Sequence, residues 1–142
     1  MRGSPELALE SLQQGNSFLT TVATTWPHSN FGPWVDRVRA AGRKPAYSIA
    51  VGLASAVHGI PLEAALPSYL QAFAAGLVSA AVRLVPLGQT VGQTTLAELE
   101  PAVAAATRSA LVRPADALGS CAPMIDLLSI AHETQHVRLF RS

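Results

Sequence analysis

Apolar residues recur at intervals of three and four through most of the 142-residue chain. No stretch alternates apolar and polar positions with β-branched enrichment, so the pattern predicts helices and no strands. The expected fold is all-α, a single-domain helical bundle over residues 1–142. Its centre is expected at about residues 67–85, where Leu70, Phe73, Leu77 and Leu84 are interleaved with Ala74, Ala75, Gly76, Ser79, Ala80 and Ala81. Large side chains on one stripe, with small ones where other backbones can approach, make the pattern of a helix buried on most sides. Pro86 cannot continue the hydrogen-bond ladder, Val85 ahead of it is pushed toward extended geometry, and Gly88 follows as a turn residue. Arg83 is the one formal charge in this stretch and must reach solvent or a carboxylate.

The flanking segments follow the same logic. Ser4 can cap a helix that Pro5 opens, with Glu6 in its first turn, so Pro5 to about Val22 reads as an amphipathic helix offering Leu7, Leu12, Phe18, Leu19 and Val22 to the core. Gly15 weakens its middle. Residues 24–33 read as a loop anchored by Trp26 and Phe31, followed by a short helix over Trp34–Ala41. Pro45 opens the next helix, with Ala46, Ile49, Ala50, Leu53, Ala54 and Val57 on one face, and Gly59 and Pro61 stop it. A helix starting at Pro61 or Leu62 is expected to kink or restart at Pro67. Thr95 and Glu98 form a capping box for a helix reaching about Val112, bent or restarted at Pro101. Ser120 precedes a last helix, Pro123 to about Phe140, with Met124, Leu127, Leu128 and Ala131 turned inward.

Composition narrows the classes. Nearly half the residues are apolar (49%) and the formal charge is +1, so the chain can bury a core and its bulk electrostatics do not point to nucleic acid. The basic cluster Arg37, Arg39, Arg43 and Lys44 reads as a solvated helix end. The single cysteine, Cys121, cannot form an internal disulfide and fits a reducing compartment. The start of the chain shows no signal peptide, and the longest run free of charged or strongly polar residues is shorter than the roughly 20 a membrane span requires. The expectation is a cytoplasmic protein.

The search for chemistry returns one match. His132-Glu133-Thr134-Gln135-His136 fits H-E-x-x-H, in which two imidazoles one helical turn apart bind zinc and the glutamate serves as general base. Against a zinc hydrolase, only VRLFRS follows His136, with no His, Asp, Glu or Cys to supply a third ligand. Gly88-Gln89-Thr90-Val91-Gly92 lacks the spacing and lysine of a phosphate loop. His28 and His58 stand in or beside loops and read as structural or surface residues. A direct nickel carrier built on His132, His136 and Cys121 stays open as a further reading. The closing HETQHVRLFRS carries two arginines with Leu139 and Phe140, the residue types of binding hot spots, and reads as a segment that docks on another protein.

Three stretches together resemble the UreF family of urease accessory proteins: Gly59-Ile60-Pro61-Leu62-Glu63, then Leu77 through Gln89 (LVSAAVRLVPLGQ), then His132-Glu133-Thr134-Gln135 with Arg138-Leu139-Phe140-Arg141-Ser142. Glu10 and Gly15, inside LALESLQQG, look like the family's preceding helix. Where family members commonly carry Tyr, this chain has His136, and that substitution alone creates the H-E-x-x-H match. The resemblance implies an all-α protein with no enzymatic activity and no cofactor of its own. It would bridge UreD (UreH in some bacteria) and the GTPase UreG to deliver nickel to apo-urease, with a homodimer as a further possible assembly. It also implies partner-binding roles for Arg83, Pro86, Gly88, Gln89, His132, Glu133, Arg138, Leu139, Phe140, Arg141 and Ser142, the tail docking on UreD and Arg83–Gln89 serving UreG. Family members are usually longer, with an N-terminal segment ahead of the helix that begins here at Pro5.

Overall fold

The structure, a computed structural model, describes residues 4–114, 116–117, 119 and 122–136. Its elements are α1 (Pro5–Thr25), α2 (Phe31–Ala40), α3 (Tyr47–Val57), α4 (Leu62–Leu84), α5 (Gln89–Val112) and α6 (Pro123–Glu133), and no strand occurs among the described residues. The all-α expectation holds. The helices fall into two compact units, one formed by residues 1–59 with 118–142 and the other by residues 60–117.

In the first unit α1 starts as its sequence predicts, with Ser4 Oγ accepting the Leu7 N–H at 3.2 Å and Pro5 at the first helical position. Its stripe Leu19 and Val22 joins Phe31 and Val35 of α2 and Ala50 and Ala54 of α3 in the core, with Phe18, Leu53 and Val57 packed against them. Gly15 does more than weaken a helix. A Cβ there would lie 2.1 Å from the Pro45 carbonyl oxygen, so the missing side chain is what lets α1 touch the backbone entering α3. One turn earlier, Ser11 Oγ accepts the Tyr47 N–H at 3.2 Å. Ala46, the residue preceding α3, has no side chain able to cap it, and Ser11 satisfies one of its orphan donors from another helix.

Two expectations in this unit are corrected. Phe31 is an anchor at 1% exposure but belongs to α2, which starts three residues early, whereas Trp26 is 61% exposed and anchors nothing. The core positions near the α1–α2 turn are already filled by Val22, Phe31 and Val35. On α6, which ends at Glu133, the residues expected to face inward, Met124, Leu127, Leu128 and Ala131, are exposed. The more sheltered face carries Asp126, Ser129, His132 and Glu133 instead, because the start of α1 offers α6 hydrogen-bonding groups rather than an apolar groove.

The second unit is the pair α4 and α5. Helix α4 has the predicted sequence character and the predicted end, with Val85 extended (φ −118°, ψ 144°), but not the predicted burial: among its residues only Ala74 is buried, and Phe73, Leu77 and Leu84 are exposed. It packs along α5 on one flank, and a single partner helix covers only a part of a helix's circumference. At 23 residues and a mean hydropathy of 1.4 over its best window, α4 is long and apolar enough by length and composition to cross a membrane, a test that a core helix also passes.

Both internal prolines are accommodated without a restart. Pro67 lies in α4 opposite the Glu63 carbonyl and Pro101 in α5 opposite that of Ala97; both carbonyl-bearing residues are exposed, so water can take up the acceptor each proline leaves. The capping box is also corrected. Helix α5 begins at Gln89, six residues before Thr95, and Thr95 Oγ1 donates to the Val91 carbonyl at 2.9 Å inside the helix.

Candidate functional site

The corner between α4 and α5 gathers the residues that the sequence singled out around Arg83. Gly92 is buried, and a Cβ on it would come within 3.0 Å of Val82 Cγ2 and 3.5 Å of Val78 Cγ1, so the glycine sets how closely α5 approaches the end of α4. Gln89 lies one turn before Gly92 and Arg83 directly follows Val82. The close approach therefore brings Arg83 and Gln89 to the wall of one depression of about 370 Å³, shared with Ser79 and Gln93. Arg83 Nε donates to the Ser79 carbonyl at 3.2 Å, which orients the stem of the side chain, and the guanidinium complements the negative end of the α4 dipole. Pro86 and Gly88 form the exposed connection itself, with Gly88 at an ordinary extended φ of −72° ahead of α5.

Chemically this corner offers a delocalised cation and two primary amides on exposed backbone. Such a set recognises carboxylates and carbonyls of another molecule, and no carboxylate, imidazole or thiol lines the depression to activate the Ser79 hydroxyl. Ser79 and Gln93 were not foreseen. Their helical spacing, four residues from Arg83 and four from Gln89, is the signal that points to them.

His132 and Glu133 lie elsewhere, in the first unit, and their polar atoms are engaged at the start of α1. His132 Nδ1 stands 3.0 Å and 3.2 Å from the two carboxylate oxygens of Glu6. The Glu6 N–H donates to Glu133 Oε1 at 3.2 Å, and the hydroxyls of Ser4 and Ser129 share a hydrogen bond of 2.6 Å. Glu133 thus puts a carboxylate on the amide end of α1, where orphan N–H groups and the helix dipole favour a negative charge.

The same geometry undoes the zinc-hydrolase motif. Helix α6 stops at Glu133, and His136 falls in a bend beyond it, so the two histidines do not share a helical face as H-E-x-x-H requires. Among the described residues no group of three or more His, Cys, Asp or Glu is arranged to hold a metal ion. Arg138, Leu139, Phe140, Arg141 and Ser142 lie outside the described residues, as does Cys121 of the nickel-carrier reading.

A family model described as UreF matches residues 1–100. Among curated proteins, the chain is 48% identical over 141 residues to "Urease accessory protein UreF" of Granulibacter bethesdensis, covering 99% of this chain and 58% of that protein. It is 48% identical over 139 residues to the protein of the same name from Rhodopseudomonas palustris, covering 98% of this chain and 56% of the relative. A third, from Magnetococcus marinus, is 44% identical over 147 residues, covering all of this chain and 62% of the relative. The chain therefore spans a little over half the length of the curated relatives it matches.

Proposed function

This chain belongs to the UreF family of urease accessory proteins, and from that premise we propose that it acts as a non-enzymatic scaffold in nickel metallocentre assembly. In this reading it bridges UreD, or UreH, and the GTPase UreG, so that nickel reaches the urease apoprotein. The observation that carries the reading is the 48% identity extending over 99% of the chain, which takes in both the Arg83–Gln89 stretch and the end of the chain. The exposed guanidinium and amides at the α4–α5 corner support a docking role, since they can pair with a partner's carboxylates and carbonyls without any reacting group of their own.

Arg83, Pro86, Gly88 and Gln89 are assigned to UreG recruitment, and Arg138, Leu139, Phe140, Arg141 and Ser142 to UreD. His132 and Glu133, tied to the first turn of α1, enter the proposal as the base from which that docking segment extends. The uncovered flank of α4 becomes the buried centre only in the assembled protein. A homodimer is a further possible assembly; nucleic acid, membrane and a resident cofactor have no part in the scheme, and its setting is the cytoplasm. Co-expression with UreD, UreG and apo-urease tests it. Nickel-dependent urease activity should depend on this chain, and activation of equal extent in its absence would overturn the proposal.

A further inference from the structure

The α4–α5 pair carries a second depression, of about 710 Å³, farther along the seam from the corner. Ala75 lines both depressions, which joins them into one groove. The lining residues repeat at intervals of three and four, Ala72, Ala75 and Ser79 on α4 and Gln93, Leu96 and Glu100 on α5, so a single flank of the seam forms the whole of it. Its floor is aliphatic and shallow, built from Ala72, Ala75, Val78, Leu96 and Val103. Only two charged residues line it. Glu100 stands at one end, beside Gln71 and Ala72, and Arg83 at the other. Among the described residues Glu100 takes part in no ion pair.

This shape and charge pattern select what can lie there. From Ala72, level with Glu100, to Arg83 the α4 axis rises about 16 Å, or about three helical turns. An extended segment would bring backbone N–H and C=O groups against an aliphatic floor, and the Ser68 hydroxyl at its rim is already donated to the Ala64 carbonyl at 2.8 Å. A helix satisfies its own backbone and packs a side-chain ridge into the furrow between two others. We propose that this groove receives an amphipathic helix of a partner protein, with aliphatic residues along its buried stripe, a Lys or Arg against Glu100 and, about three turns away, an Asp or Glu against Arg83.

The two kinds of contact divide the work. Covering the aliphatic floor supplies the attraction, while the exposed charges at the ends add little affinity and instead fix direction and register, because a helix laid the wrong way round meets like charges at both ends. The Gln89 and Gln93 amides flank Arg83 and can take up the remaining oxygens of the partner's carboxylate. The proposal rests on the reading of the Arg83–Gln89 corner as a docking surface and adds the chemistry of what docks there.

The test is fluorescence anisotropy of a labelled synthetic helix of about 18 residues, Ala and Leu in its apolar stripe, with one Lys and one Glu about eleven positions apart, titrated with the full chain. Binding should saturate, with half-saturation below about 1 mM. Glu100→Lys and Arg83→Glu, both at exposed positions, should keep the circular dichroism of the parent and each weaken binding by about fivefold or more. The double variant should bind the peptide with its two charges exchanged to within about threefold of the parent pair. Absence of saturation, or indifference to both charge reversals, would overturn the proposal. So would a dimer of the chain that Glu100→Lys dissociates, since the groove would then belong to a second copy. Any of these results, with UreG recruitment still sensitive to Arg83→Ala, would reject the helix and leave the corner as a docking surface.

Discussion

Glu6 in the first turn of α1 and His132 in the last turn of α6 face each other at 3.0 Å, 126 residues apart in sequence. With the Ser4–Ser129 and Glu6–Glu133 contacts, this pair fastens a helix that has no buried residue of its own. Polar contacts rather than apolar burial thus hold α6. Glu6→Ala should cost about 1 kcal/mol, since the histidine is roughly one-third exposed and water can replace part of what is lost. Amide exchange should speed up in α6 and at the start of α1 while the α1–α3 core amides stay protected. Equal exchange in both proteins would remove the fastening role.

Gly15 and Gly52 make a matched pair. Both lie inside continuous helices, but a Cβ at Gly15 collides with the Pro45–Tyr47 backbone, whereas one at Gly52 meets nothing within 4 Å. Gly15→Ala should destabilise by about 1–3 kcal/mol or more, because backbone must move. Gly52→Ala should stabilise by about 0.5–1 kcal/mol through helix propensity. Urea midpoints of the two variants check this directly, and a like change in both would contradict the close crossing.

Phe31 and Trp26 look equivalent as loop aromatics in the sequence, and they separate in the structure. Phe31→Ala should cost about 3–5 kcal/mol, while Trp26→Ala should stay within about 0.5 kcal/mol of the parent. Thermal denaturation of both variants measures the difference, and comparable losses would place Trp26 back in the core.

What was legible in the sequence follows the range of the interactions responsible. Helix periodicity, the Ser4 cap and the break at Pro86 are local, and the structure repeats them. The start of α5 departs from the sequence reading because Thr95 and Glu98 fit a capping box, while Gly92 ahead of them is a contact surface for Val82, and a contact with another helix leaves no mark in local propensity. The inward face of α6 was misassigned for a related reason, since the apolar stripe Met124, Leu127, Leu128 outweighs, on periodicity alone, a polar face whose partners are Ser4 and Glu6. For α4 the apolar pattern correctly signals a demand for burial, but one neighbour, α5, meets only part of it. At the candidate corner, Arg83 and Gln89 were legible from the helix break between them. Ser79 and Gln93 carry only the signal of standing one helical turn from Arg83 and Gln89, and the α4–α5 crossing is what brings all four to one depression.

Arg83→Ala should leave helical content unchanged, because the side chain is exposed and lies in the last turn of α4. It should reduce UreG recruitment by about tenfold or more, the scale of a lost charge-assisted contact. Gln89→Ala should act in the same direction with a smaller effect. A pull-down of UreG that is indifferent to Arg83→Ala would withdraw the corner from the docking surface.

The central claim is that this chain works by being gripped by other proteins, and its most direct test is co-purification with UreD before and after removal of Arg138 to Ser142. The account predicts that the full chain retains UreD and that the shortened chain, with its helical content intact, loses it. Undiminished retention of UreD by the shortened chain would contradict it.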